Sequence, residues 1–171
     1  PQNCSNEYYG PTPIRVGIEK SRNLMTVRLA DFVGMETVSE YAEKFGVIQD
    51  LPPLLANSLG SGETTLLDIT TGYAQILNGG KKITPTMIDR IQDRWGDTIF
   101  SYDKRPCENC GGKKLIEWNE QFAPEIPDIR EQLADPRKTY QIVSILEGVV
   151  ERGTGIRIKA LNRPLAGKTG T

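Results

Sequence analysis

The sequence predicts a chain of the α/β (α+β) class, rich in helix, with its β-structure late. Three observations carry this. Apolar residues recur at helical spacing in several separate stretches. Glycine falls just past the end of most of them. β-Prone runs gather between residues 83 and 103 and again after Gly153.

Residues 8–13 (YYGPTP) read as loop. Thr12 and Pro13 then read as an N-cap and a first helical residue, where proline needs no amide partner, so a short helix is expected to about Lys20. A second helix starts near Leu24, with Met25, Leu29, Phe32 and Val33 at i, i+4, i+7 and i+8 and Gly34 as its end. Val38, Tyr41, Ala42 and Phe45 mark a third, and Gly46 suits the left-handed position that closes a helix. Residues 51–62, rich in Pro, Ser and Gly, read as loop. A fourth helix is expected over about 65–77, with Leu66, Ile69, Tyr73, Ile76 and Leu77 on one face and Gly79-Gly80 as its stop.

Residues 83–103 read as extended, with Arg94-Trp95-Gly96-Asp97 as a hairpin turn. The CENCGG segment at 107–112 reads as loop, and 115–135, with Pro124 and Pro127, as irregular. The clearest helix follows. Asp135-Pro136 opens it, Ile142, Val143, Ile145, Leu146, Val149 and Val150 form a wide apolar stripe, and Gly153 closes it. Residues 156–160 read as a short strand, and Gly167 leads into a further strand that carries Lys168-Thr169-Gly170-Thr171. Every apolar stripe is expected to face the core.

Composition narrows the function. Hydrophobic residues are 37% and charged residues 25%, as in an ordinary globular protein. A net charge of −1, with scattered basic residues, argues against a nucleic-acid partner. No apolar run approaches the ~20 residues of a membrane span. The first residues, Pro1-Gln2-Asn3, read as mid-protein sequence, so any membrane anchor is expected upstream. Histidine is absent, which removes Ser–His–Asp and Cys–His catalysis and every imidazole metal ligand. Proton transfer then falls to Lys, Asp, Glu, Ser or Tyr. Cys107 and Cys110 form a Cys-x-x-Cys, and Cys4 stands alone. A local disulfide, two free thiols and a shared metal site all remain open for the pair.

Two short segments carry chemistry. One is Lys20-Ser21-Arg22-Asn23, at a junction between helices; the other is Lys168-Thr169-Gly170-Thr171. Alone, a Ser-x-Asn reads as capping of the next helix and a Lys-Thr-Gly as a turn. In this order they complete two of the three motifs, Ser-x-x-Lys, Ser-x-Asn and Lys-Thr-Gly, of the penicillin-binding and class A β-lactamase families. The stretch from Tyr9-Gly-Pro-Thr-Pro through Glu19-Lys-Ser-Arg-Asn-Leu-Met-Thr-Val-Arg-Leu-Ala30 resembles the transpeptidase domain of class A penicillin-binding proteins of the bifunctional 1A type. Residues 83–96 and 148–155 (GVVERGTG) are similar to the same family.

The resemblance implies a partial β-lactamase/transpeptidase-like fold, a helical subdomain plus part of an antiparallel sheet, with residues 1–171 as part of one transpeptidase domain. It implies a serine D,D-transpeptidase that joins peptidoglycan stem peptides, taking a D-Ala-D-Ala donor and an amine acceptor, and that is acylated by β-lactams. Ser21, Asn23 and Lys168 would be catalytic: Ser21 as proton shuttle, Asn23 as amide partner of the substrate, and Lys168 as the positive field beside Ser21. Thr169, Gly170 and Thr171 would bind substrate, the hydroxyls holding the donor carboxylate and the Thr171 amide forming half of the oxyanion hole. No metal and no cofactor is expected. The implied location is the periplasmic side of the cell membrane, reached through an anchor upstream, where a glycosyltransferase domain would also lie.

The nucleophile is the missing motif. Ser5 is followed three places on by Tyr8. The single match, Ser101-Tyr102-Asp103-Lys104, lies after Ser-x-Asn and follows a hairpin strand, where i and i+3 point to opposite faces. The nucleophilic serine and the last sheet strands are therefore expected outside residues 1–171, leaving this stretch inactive alone. Two alternatives stay open: a D,D-carboxypeptidase or β-lactamase of the same fold, and an inert binding or scaffold fragment.

Overall fold

The computed structural model describes residues 8–105 and 126–170. Cys4, Cys107, Cys110 and Thr171 lie outside the described residues. The chain forms two compact units, Pro1–Ile83 together with Gln132–Thr171, and Thr84–Glu131.

The first unit contains α1 (Ile14–Glu19), α2 (Asn23–Val33), α3 (Met35–Lys44), α4 (Leu66–Leu77) and α5 (Pro136–Glu151), with 3₁₀ turns at Leu55–Leu59 and Ile156–Leu161. Two of the helix starts, α4 and α5, follow from side-chain caps. Thr65 Oγ1 accepts from the Asp68 amide at 3.1 Å, and Asp135 Oδ1 accepts from the Arg137 amide at 2.8 Å with Pro136 in the first turn. At α1 the expected cap moves by one residue. Pro13 is extended and occupies the cap position without a side-chain bond, while the Thr12 hydroxyl donates to Gly10 O at 3.1 Å.

Helix α5 is the hub. Val149 and Val150 are 1% and 2% exposed, and α5 packs against both α1 and α4. Buried Gln75 links neighbouring segments, donating to Phe45 O at 2.7 Å and accepting from the Ile83 amide at 3.1 Å. The chain rejoins this unit beside Gly80, whose carbonyl accepts from Leu133 N at 2.7 Å.

Three expectations are corrected. Phe32, Leu66 and Leu77, read as core, are 87%, 82% and 72% exposed, and no described element of this unit covers them. Residues 156–160 are not a strand: they lie in the 3₁₀ turn, where Ile158 N bonds Gly155 O and the backbone closes locally. Residues 162–170, including Lys168, take no regular secondary structure, because no described strand pairs with them.

The second unit holds an antiparallel hairpin, β1 (Arg90–Gln92) and β2 (Thr98–Ser101), with Ile91 opposite Phe100. The turn falls where expected. Asp93 Oδ1 accepts from the amides of Trp95 and Asp97, each at 2.9 Å, and Gly96 supplies a φ of 90°. Ser101 ends β2 and its hydroxyl donates to Asp103 O at 3.0 Å, so the 101–104 match is not on a helical turn.

Candidate active site

The site is built from a helix end. At the C-terminus of α1 the Ser21 amide bonds Ile18 O at 3.0 Å and the Arg22 amide bonds Gly17 O at 2.9 Å. This pair of bonds is a Schellman closure, which puts its turning residue in the left-handed region. Ser21 is that residue, with φ 52°. Two other helices close in the same way, α3 through Gly46 at φ 65° and α4 through Gly79 at φ 72°. Glycine takes this conformation without strain; serine does not, at a cost of roughly 1–2 kcal/mol. A strained residue held by its surroundings is a mark of a functional position. Asn23 opens α2 two residues on.

Lys168 reaches the same point from the far end of the chain. Its Nζ donates to Ser21 Oγ at 2.7 Å and to Thr169 O at 2.9 Å. Burial pushes the Lys168 ammonium below the ordinary lysine value, because desolvation disfavours the charged form. The 162–170 segment is tied to α5 by Gly167 N on Leu146 O at 3.3 Å. Thr169 does not join Ser21; its hydroxyl meets the Thr154 hydroxyl at 2.7 Å. A side chain at Gly167 or Gly170 would meet nothing within 4 Å, so the backbone there is bare.

The sequence reading missed the residues that hold these pieces. Buried Glu19 receives the Arg152 guanidinium through Nε and Nη2, at 2.9 and 2.5 Å, and Lys20 Nζ donates to Arg152 O at 2.5 Å. The available signal is the GVVERGTG stretch, but its family likeness alone does not disclose that its glycines make room for Glu19 beside Arg152.

The family model for the penicillin binding protein transpeptidase domain matches residues 2–171. The chain belongs to this family. It is 40% identical over 171 residues to penicillin-binding protein 1A of Rickettsia bellii and 32% identical over 199 residues to that of Pseudomonas aeruginosa. Both alignments cover 100% of this chain, but only 22% and 24% of the relatives. Among solved structures, penicillin-binding protein 1A of Haemophilus influenzae matches with a TM-score of 0.79 at 26% identity, over 100% of this chain and 28% of that one. A D,D-transpeptidase domain from Eggerthella lenta shares the fold, with a TM-score of 0.71 over 99% of this chain and 44% of that one. The chain is thus transpeptidase-domain sequence of the class A, 1A type, and its mixed helix-and-hairpin structure is a part of that fold.

Proposed function

We propose that residues 1–171 supply one wall of the active site of a serine D,D-transpeptidase that cross-links peptidoglycan. The observation that carries this is the contact of Lys168 Nζ with Ser21 Oγ at 2.7 Å, which joins two motifs from opposite ends of the chain. The nucleophilic serine belongs to a Ser-x-x-Lys helix outside this stretch, since no such motif precedes Ser21.

In this reading the nucleophile's oxygen bonds the carbonyl carbon of the penultimate D-alanine, and the C–N bond to the terminal D-alanine breaks. The hydroxyl proton passes to the leaving amine through Ser21. An amine from a neighbouring stem then takes the acyl group, and the serine recovers its proton. Lys168 donates to Ser21 Oγ, which polarises the Ser21 hydroxyl as a donor toward the leaving nitrogen. Asn23 holds the substrate amide. Thr169 and Thr171 hydroxyls bind the donor carboxylate, the bare backbone at Gly170 lets the stem lie alongside, and the Thr171 amide serves the oxyanion. A β-lactam takes the donor's place and remains tethered after its ring amide opens. The enzyme works on the periplasmic face of the membrane, and its anchor is not in the described residues, none of whose helices is long and apolar enough to cross a membrane.

The test uses the protein expressed from the complete reading frame that encodes this sequence. A fluorescent penicillin should acylate it, and Lys168→Ala should slow acylation by about 100-fold or more, the loss typical of one electrostatic group at such a site. No acylation of the wild-type protein, or equal rates in both, would refute the reading.

A further inference from the structure

Ser21 and Lys168 are 2.7 Å apart, yet neither lies within a helix or strand that would fix it. Both are referenced to the C-terminal end of α5. On one side, Glu19 plugs into that end twice. Its carboxylate is buried, 3% exposed, and lies so close to Gly148 that a Cβ there would sit 2.1 Å from Oε1. Its backbone carbonyl accepts from Thr154 N at 3.1 Å and passes 2.3 Å from where a Cβ on Gly153 would stand. Arg152 holds the carboxylate with two bonds, and Lys20 bonds the Arg152 carbonyl. On the other side, the Lys168 segment hangs on Leu146 O and on the Thr154 hydroxyl.

We propose that Glu19 is a positioning residue for acylation: its carboxylate, locked by Arg152 into the niche left by Gly148, sets Ser21 against Lys168. This rests on the transpeptidase reading above. The lever arm is short. Ser21 is two residues beyond Glu19 and is held in a strained left-handed conformation, so it has no regular helix of its own to fix it. The paired fork of Arg152 supplies direction as well as attraction, which a single point charge would not. The glycines at 148 and 153 are the room this lock requires. A displacement of about 1 Å at a reacting group commonly costs on the order of 100-fold in rate.

The experiment is a double-mutant cycle in the full-length protein, read as the second-order rate of acylation by a fluorescent penicillin. Glu19→Gln keeps the shape and removes the charge. It should slow acylation about 10- to 100-fold, and the fall in thermal midpoint from losing the buried partner of Arg152 is measured on the same preparation so that rates are compared on folded protein. In the Lys168→Ala background the same change should cost about twofold or less, because residues acting through one contact are not additive. An equal factor in both backgrounds would make Glu19 merely structural and overturn the proposal, as would no loss in the wild-type background. Should Glu19→Gln not fold, Arg152→Lys carries the same cycle: it keeps the charge and loses the fork. A wild-type protein that takes no penicillin would refute the functional reading itself, whereas normal wild-type labelling with an additive cycle would refute only the role of Glu19.

Discussion

Ser21 does a glycine's work at the end of α1. The closures at Gly46 and Gly79 have the same bonding and a residue that takes positive φ freely. At Ser21 the strain of roughly 1–2 kcal/mol is offset by a hydroxyl bond to the Lys168 ammonium, worth about 1.5–3 kcal/mol for a charged donor. These nearly cancel for the fold. Under the proposed proton-shuttle role they do not cancel for function, because glycine carries no proton to pass on. Ser21→Gly should therefore leave the unfolding free energy within about 1 kcal/mol of wild type, while acylation of the full-length protein falls by a factor on the order of 100 or more. Chemical denaturation and penicillin labelling on the same preparation test both halves. A large loss of stability would mean that the hydroxyl is there chiefly to hold the loop.

At the scale of elements, a tight crossing lies where the chain rejoins the first unit. Gly80 has φ 79°, and a Cβ on it would stand 2.6 Å from Ala134 O. Gly96, in the hairpin turn, has φ 90° but open space around it. Both alanine replacements incur backbone strain, and only Gly80→Ala adds a backbone clash. Gly96→Ala should cost about 1–2 kcal/mol and Gly80→Ala about 2–4, read from urea midpoints. Equal costs would show that the 132–134 return can shift freely. The same comparison explains what the sequence disclosed. Helices α2 to α5 were legible because their apolar period and end signals are local, down to Asp135-Pro136 and the glycines after α3 and α4. The run Ile156-Arg-Ile-Lys alternates as a strand does, but a strand exists only through its partner, and here the chain closes on itself from Gly155. Ser21 and Lys168 were legible as a pair only through the order of two family motifs. Glu19, Arg152 and Thr154 were not, since their meaning lies in contacts between residues more than a hundred positions apart.

At the scale of the molecule, the question is whether these 171 residues react alone when, as proposed above, the nucleophile lies on a Ser-x-x-Lys helix outside them. Ser21 has a lysine at hydrogen-bond distance, which is the usual requirement for an activated serine. However, that lysine donates to Ser21 Oγ, and a hydroxyl whose oxygen is accepting from an ammonium is a better acid but a poorer nucleophile. Ser101 has Lys104 three residues on, but its hydroxyl is turned to Asp103 O at the end of β2. Neither serine has the helical Ser-x-x-Lys geometry that places an amine beside its own hydroxyl. Removing the nucleophile from a concerted set commonly costs a factor on the order of 10⁴–10⁶. The isolated 171-residue chain should therefore gain no penicilloyl mass on incubation with penicillin, under conditions where the full-length protein is fully labelled. Intact-mass spectrometry followed by peptide mapping decides it. An adduct on Ser21 would make this serine the nucleophile and Lys168 its base, and one on Ser101 would move the catalytic centre to the hairpin unit.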